Sequence, residues 1–385
     1  MPAERRYLVL TELFLPTKGG TAVWFDEVYR RLGDRGTHIV TAAVPGAAEH
    51  DRDHPNTVHR IRWRPSRWLR PYSLPIYARL AATAHALMAR HRLDAVHAGR
   101  VLPEGLVGWS VAALWRRPLV VYAHGEEITT WGRIPRRRRA MRFVYRRATH
   151  VIANSDFTRE RLLELGVPAA RIRVIHPGVD TARFRRGPAD ARLRARLGLA
   201  EGTRLILSVG RLSRRKGFDR VIEALPALLA RGLDVHYAVI GIGEDEAHLR
   251  ALAEGCGVAR RVHLLGHVPP DELPAWYRTA DVFAMPNRPV GADAEGFGMV
   301  YIEAAACGTP AVAGRHGGTG AAVLDGETGL RVDGESVEAV AEGLARLLAE
   351  PELARRLAEN AWRRAVEELS WERVAERTRA LEEAA

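Results

Sequence analysis

Short apolar runs alternate with amphipathic stretches along almost the whole chain, and the alternation runs through twice. In the first half the apolar runs are Tyr7–Leu10, Thr37–Val44, Ala95–Ala98, Pro118–His124, His150–Ser155 and Arg173–His176, with helical patterns such as Val23–Leu32 and Ile76–Arg90 between them. In the second half they are Arg204–Gly210, Val235–Gly241, Val262–Gly266, Val282–Met285 and Pro310–Ala313. Helical patterns at Phe218–Ala230, Glu244–Glu254, Asp271–Thr279 and Met299–Ala306 separate these. Such alternation predicts α/β architecture, with parallel, doubly wound sheets covered by helices on both faces. At 385 residues the chain is too long for one ordinary core, so the two runs predict two Rossmann-like domains. The expected divisions are 1–185, 186–365 and a C-terminal helix at 366–385 that packs back towards the first domain. The boundary is placed in Arg183–Gly202, where strand character is lost. Ligands of open α/β sheets sit beyond the carboxyl ends of the strands, so the expected site is a deep cleft between two facing domains.

Three glycine-rich stretches fall at strand ends, where that rule wants a site. PTKGGTAVW at 16–24 follows the first strand, and Gly19 and Gly20 allow a ligand to approach the backbone at a helix start. It is neither a dinucleotide fingerprint nor a P-loop, and the plainer reading is a tight turn. SVGRLSRRKGFDR at 208–220 places Arg211 and Lys216 around a short loop, with Gly217 before a helix. Two cations and a helix N-terminus suit a diphosphate, whereas Arg214 and Arg215 are expected to point to solvent. The third stretch, AEGFGMVYIEAAACGTP at 294–310, holds Glu295 and Glu303 eight residues apart. Helix is predicted to begin near Gly298, leaving Glu295 in the loop and Glu303 in the second turn. A metal site is disfavoured, because no His or further acid falls at helical spacing on the same face. A pair of carboxyls flanking a glycosidic bond stays open as a reading. The glycines favour a binding cradle, with backbone N–H groups facing the same ligand. His124, at a strand's carboxyl end in YAHGEEITTW, is placed to face the cleft, and Glu126 and Glu127 after it suit a helix N-terminus.

Hydrophobic residues make up 47% of the chain and charged residues 27%, as in soluble globular proteins. Tyr7–Leu10 is too short for a signal-peptide core, and the longest uncharged apolar run, Gly105–Trp115, falls short of the about 20 residues a membrane span needs. Cys256 and Cys307 have no metal-ligand spacing, which makes a reducing cytoplasm the default. A net charge of +12 implies an anionic partner. Nearly all the basic residues are arginine, and the two lysines, Lys18 and Lys216, both stand beside glycine. Eight arginines surround Met141, Phe143 and Tyr145 at 133–147, and five interleave with Trp63 and Trp68 at 59–72. Basic residues among aromatics suit an anionic membrane surface. Nucleic acid is the less favoured partner, and the plain alternative is a solvated arginine face.

The E-x7-E of Glu295–Glu303, the GRL…KG of Gly210–Gly217, NSDFTR at 154–159, HPGVD at 176–180 and ADVFAMP at 280–286 together resemble one family. They are similar to the retaining glycosyltransferases of family four, the group 1 glycosyltransferases, whose fold is GT-B. Within it, FAMPNRPVGADAEGFGMVYIEAAACGTPAVAG is most similar to the phosphatidylinositol mannoside mannosyltransferases, which use GDP-mannose. The resemblance implies a nucleotide-diphosphate sugar as substrate, held mainly by the second domain. It implies Arg211 and Lys216 on the diphosphate, Glu303 on the ribose hydroxyls and Glu295 on the sugar. Backbone N–H groups around Phe297 and Gly298 join Glu295, and Val268 offers a backbone contact to the base. Gly19 and Gly20 approach the phosphate, and His124 faces the sugar. Retention by front-face displacement is implied, with no metal and no cofactor, because the cations take the metal's place. The sequence departs from the subgroup at Lys18 and in the GEEITTW segment, on the acceptor side.

The expected protein is a retaining hexosyltransferase moving mannose from GDP-mannose to a lipid or polyol acceptor, in the cytoplasm and peripheral on the inner face of the plasma membrane. One alternative is a UDP-sugar enzyme acting on a soluble metabolite or polysaccharide. Another is a nucleotide-sugar epimerase, which would need further acids for proton abstraction.

Overall fold

The computed structural model describes residues 5–64 and 73–383. The chain divides into two compact units, Met1–Pro177 together with Trp371–Ala385, and Gly178–Ser370. The first division falls ahead of residue 185 because Val179 and Phe184 are buried in the core of the second unit.

The first unit carries β1 (Tyr7–Leu10), β2 (His38–Ala42), β3 (Thr57–Ile61), β4 (Ala95–Ala98), β5 (Leu119–Ala123), β6 (His150–Ala153) and β7 (Ile172–Val174). Among the described residues they form one parallel sheet in the order β3-β2-β1-β4-β5-β6-β7. Leu8 is in register with His38 on one side and Val96 on the other. Both faces are covered, which is why the central strands read as continuous apolar runs. One face packs Leu8, Leu10, Val96 and Val121 against Leu80, Ala84, Val107 and Val111. On the other, Trp24 and Phe25 of the helix Gly20–Leu32 meet Tyr122 edge to face. The Tyr29 hydroxyl lies 2.6 Å from His97 Nδ1 and 3.2 Å from the Tyr122 hydroxyl, so these buried polar atoms have partners. The helix Trp371–Glu383 belongs to this unit and packs on Gly20–Leu32, with Arg31 paired to Glu372 at 2.9 Å.

The second unit repeats the plan with β8 (Arg204–Val209), β9 (Val235–Ile240), β10 (Val262–Gly266), β11 (Val282–Met285), β12 (Ala311–Gly314) and β13 (Leu330–Val332). Their order is β10-β9-β8-β11-β12-β13, again parallel. In each sheet the unit's first strand lies inside, two successors step outward on one side, and the chain then crosses to the other side. The reversal falls between β1 and β4, and between β8 and β11. Loops leaving the strands at such a reversal diverge and open a crevice for a ligand.

The strands β3 and β13 are absent from the sequence expectation, and both are sheet edges. TVHRI in β3 is half-buried along its length, and the three residues of β13 centre on Arg331, so neither offers an apolar run. The C-terminal part of the chain forms the helices Val337–Ala349, Pro351–Glu367 and Trp371–Glu383, the first capped by the Ser336 hydroxyl, which accepts from Ala339 N at 3.1 Å. Among the described residues, no helix is long and apolar enough to cross a membrane.

A buried ion pair ties the helix that follows β8 to the loop that follows β11. Arg288 forks onto Asp219, Nη1 to Oδ1 at 2.8 Å and Nη2 to Oδ2 at 2.6 Å. Asp219 stands in the first turn of the helix Phe218–Ala230, where a carboxylate also meets the positive end of the helix dipole. Removing one partner leaves the other charge buried and unpaired, so Asp219→Ala should cost about 3–5 kcal/mol of stability. Urea unfolding of that variant checks it, and a loss below roughly 1 kcal/mol would mean the pair is solvated and holds little.

Candidate functional site

The loop after β8 turns through the short helical turn Arg214–Lys216 and ends at Gly217, whose left-handed conformation (φ 76°) starts the helix Phe218–Ala230. Phe218, Val221, Ile222 and Leu225 set the buried face of that helix at the spacing a helix requires. A Cβ at Gly217 would stand 2.2 Å from the Pro286 carbonyl oxygen, so only glycine lets this loop touch the loop after β11. The two loops leave the two strands that flank the reversal.

Glu295 sits in the second of these loops, and its Oε2 is the centre of the cluster. It accepts from Lys216 Nζ at 2.5 Å, Arg215 Nη1 at 2.7 Å and Asn287 Nδ2 at 3.2 Å. Burial would raise the Glu295 carboxyl, but the charges of Lys216 and Arg215 outweigh it and bring its pKa down to about 2. The backbone is fixed too, since Gly318 N donates to the Glu295 carbonyl at 2.7 Å. Tyr301 donates to Asn287 Oδ1 and so orients the amide that reaches Glu295.

Arg215 was expected in solvent and is not there. Its Nε pairs with Asp293 at 2.8 Å while Nη1 holds Glu295, and the side chain is only 20% exposed. Sequence reasoning missed Asn287, Asp293 and Tyr301 as well. The signal available was a cluster of polar residues just past a buried strand. Arg211 and Lys216, taken together as diphosphate cations, are held differently. Lys216 is 11% exposed on Glu295, whereas Arg211 is 74% exposed and pairs with the surface residue Glu244 at 3.1 Å. An exposed pair of that kind holds the side chain weakly, leaving Arg211 free to swing.

Gly298 (φ 91°) begins the helix Met299–Ala306, with Glu295 before it and Glu303 in its second turn. Glu303 accepts from the Tyr277 hydroxyl at 2.8 Å, and burial raises its pKa. The side chains of Phe297 and Val268 are buried in the core, so only their backbones are available to a ligand. Among the described residues no three His, Cys, Asp or Glu side chains converge in a way that could hold a metal ion.

In the first unit, Gly19 and Gly20 lie exposed between β1 and the helix Gly20–Leu32, beside an exposed Lys18. Gly19 takes φ 134° and ψ 152°, a conformation closed to side chains. His124 ends β5. Its Nε2 lies 2.8 Å from the Gly99 carbonyl, an acceptor, so the proton is on Nε2 and Nδ1 is left as the acceptor. Burial lowers the ring's pKa, which favours the neutral form. Its backbone N–H donates to Glu127 Oε1 at 2.9 Å, and its carbonyl accepts from Asn154 Nδ2 at 3.0 Å. Glu127 is therefore a buried support for His124, while Glu126 is exposed at the helix start.

The basic stretches are partly spent. All eight arginines of 133–147 are exposed along or beside the helix Pro135–Tyr145. Met141 and Tyr145 are core residues, and Arg147 covers the Phe143 ring at 3.9 Å, so these apolar groups do not form the amphipathic face the sequence suggests. In 59–72, Arg60 lies in β3 and forks onto Asp51 at 2.7 and 2.9 Å, and Trp63 is half-buried. Trp68 and its neighbours from 65 to 72 lie outside the described residues.

Two doubly wound units are the architecture of GT-B glycosyltransferases. The crystal structure of Anabaena HepE in complex with UDP and glucose superposes with a TM-score of 0.82 over 99% of this chain and 100% of its own, a likeness of fold at 23% identity. Residues 18–183 match the family described as Glycosyltransferase Family 4, and residues 190–364 match Glycosyl transferases group 1. A GDP-mannose-dependent alpha-(1-6)-phosphatidylinositol monomannoside mannosyltransferase of Mycolicibacterium smegmatis is 37% identical over 89% of each chain. A D-inositol 3-phosphate glycosyltransferase of Acidothermus cellulolyticus is 34% identical over 86% of this chain and 78% of its own. The chain belongs to the group 1 glycosyltransferases of family four, and it is a hexosyltransferase.

The depressed Glu295 pKa has a measurable consequence. A carboxyl that ionises near 2 in the folded protein and at its ordinary 4.5 when unfolded contributes its full stability above about pH 4.5 and loses it as pH falls towards 2. The stability difference between wild type and Glu295→Gln should be flat above pH 4.5 and shrink below it, read from urea midpoints across that range. A difference that does not change with pH in that window would mean the carboxylate is not held by the two cations.

Proposed function

We propose that the protein transfers mannose from GDP-mannose to an inositol-bearing lipid or related polyol, retaining the anomeric configuration and using no metal ion. The observation that carries this is the similarity, over most of both chains, to an enzyme whose name specifies GDP-mannose and a phosphatidylinositol mannoside. The cation and acid cluster at the strand reversal supports a nucleotide-diphosphate sugar in the second unit.

In this reading the bond between the anomeric carbon and the diphosphate oxygen breaks as the acceptor hydroxyl bonds to the same face of that carbon. The hydroxyl proton passes to the departing diphosphate. The charge that develops there is met by Lys216 and Arg211, an electrostatic role that a metal ion fills elsewhere. Glu295 accepts from hydroxyls of the sugar, with the backbone N–H groups near Phe297 and Gly298, and Glu303 accepts from the ribose. The Val268 backbone meets the base. In the first unit, Gly19, Gly20 and His124 are the corresponding ligand-facing positions. A soluble acceptor is the second reading, favoured by the similarity to the D-inositol 3-phosphate enzyme.

Thermal shift and turnover with GDP-mannose, UDP-glucose and their nucleotide diphosphates separate the donors, followed by phosphatidylinositol mannoside and inositol phosphate as acceptors. Stabilisation and transfer with GDP-mannose are expected. Lys216→Ala should lose both nucleotide affinity and transfer, and Glu295→Gln should lose transfer, each by about 100-fold or more. Full activity in either variant would overturn these roles.

The exposed arginines of 133–147 are proposed to rest on anionic lipid, where each basic side chain near the surface contributes about 1 kcal/mol. Flotation should recover the protein with phosphatidylglycerol vesicles at low salt and lose it when Arg136, Arg137, Arg138 and Arg139 are all changed to alanine. Equal recovery with neutral vesicles would leave these residues as a solvated face.

A further inference from the structure

Four charged groups meet between the two strand-end loops of the second unit, two cations from the first loop and two carboxylates from the second. Arg215 is anchored twice, by Nε on Asp293 at 2.8 Å and by Nη1 on Glu295 at 2.7 Å. Its backbone carbonyl accepts from Arg288 N at 3.0 Å, and Arg288 is itself locked on Asp219. Lys216 makes a single contact in this set, Nζ to the same Glu295 oxygen at 2.5 Å. The two cations are therefore unequal. A planar guanidinium spanning two carboxylates gives up two charge-assisted bonds if it leaves, whereas an ammonium on a flexible stem gives up one and can rotate.

We propose that Arg215 is a positioning residue for the donor sugar, holding the Glu295 carboxylate in place so that Lys216 can leave it for the donor diphosphate. The proposal rests on the donor reading above and deepens it. The four groups sum to zero charge, and Lys216 sits on Glu295. An arriving diphosphate draws the mobile ammonium, and Glu295 keeps Arg215 and Asn287 as partners, so it stays where sugar hydroxyls meet it. Without Arg215, Glu295 has to follow Lys216 towards the diphosphate, where two anions repel, or stay behind as a partly desolvated charge. Arg215 thus acts on the sugar through Glu295 and not on the phosphates directly.

The test measures affinity by calorimetry for two pairs of probes, GDP with GDP-mannose and UDP with UDP-glucose, using the full chain. Arg215→Ala is expected to weaken the nucleotide sugar about tenfold more than the matching diphosphate. The excess loss should vanish in a Glu295→Gln background. Arg215→Lys keeps the charge but cannot span both carboxylates, and it should show the same selective loss in smaller measure, with a thermal midpoint close to wild type. Equal loss for sugar and diphosphate, or an excess that persists in the Glu295→Gln background, would overturn the proposal in favour of a direct phosphate contact. If wild type binds both members of a pair and Arg215→Ala binds them as well as wild type does, the positioning role alone fails. If wild type binds neither pair, the donor reading fails and takes this proposal with it.

Discussion

Parallel pairing is the constraint on which everything else in the second unit depends. Every strand of a parallel sheet ends on the same side, and each successor must return over a face of the sheet before it pairs. Because β9 and β10 step one way from β8 while β11, β12 and β13 step the other, the loops after β8 and β11 leave adjacent strands in diverging directions. That arrangement brings Lys216 and Glu295, 79 residues apart in the chain, to within 2.5 Å of each other. The first unit repeats the reversal at β1 and β4, and Gly19 and Gly20 follow the first of those strands.

The two cations and two carboxylates at the reversal balance one another in charge. Glu295 is buried enough that its charge would be costly alone, and two cations on one oxygen offset that cost. Each cation has a different degree of freedom, which follows from side-chain chemistry and not from position, since Arg215 and Lys216 are neighbours in the chain. In the proposed donor reading, the site couples affinity for an anionic ligand to a rearrangement among charges already present. The buried Arg288–Asp219 pair does not take part in that exchange and serves as its frame.

The sheets were largely legible because their central strands are buried on both faces and read as uninterrupted apolar runs. The edges were not. TVHRI in β3 carries His59 and Arg60, and Arg60 reads in the sequence as part of a basic surface although Asp51 holds it. The same limit applies to the helix Pro135–Tyr145. The sequence places Met141 and Tyr145 among arginines, and periodicity alone does not say which side of the helix the core occupies. In the site, the loop glycines and both glutamates stood out by spacing, whereas Arg215 did not, because its partners Asp293 and Glu295 lie far along the chain.

By itself, then, the sequence determined the strand and helix rhythm, the glycine positions that allow close backbone approach, and the residue types gathered at strand ends. These are local properties, set by side-chain periodicity and backbone freedom. The tertiary structure decided which charges meet. It made Arg215 a half-buried partner of Glu295, left Arg211 on the surface beside Glu244, and turned Glu127 into the support beneath His124. Such pairings depend on the order of strands in the sheet, and strand order is fixed by long-range packing that no local pattern records.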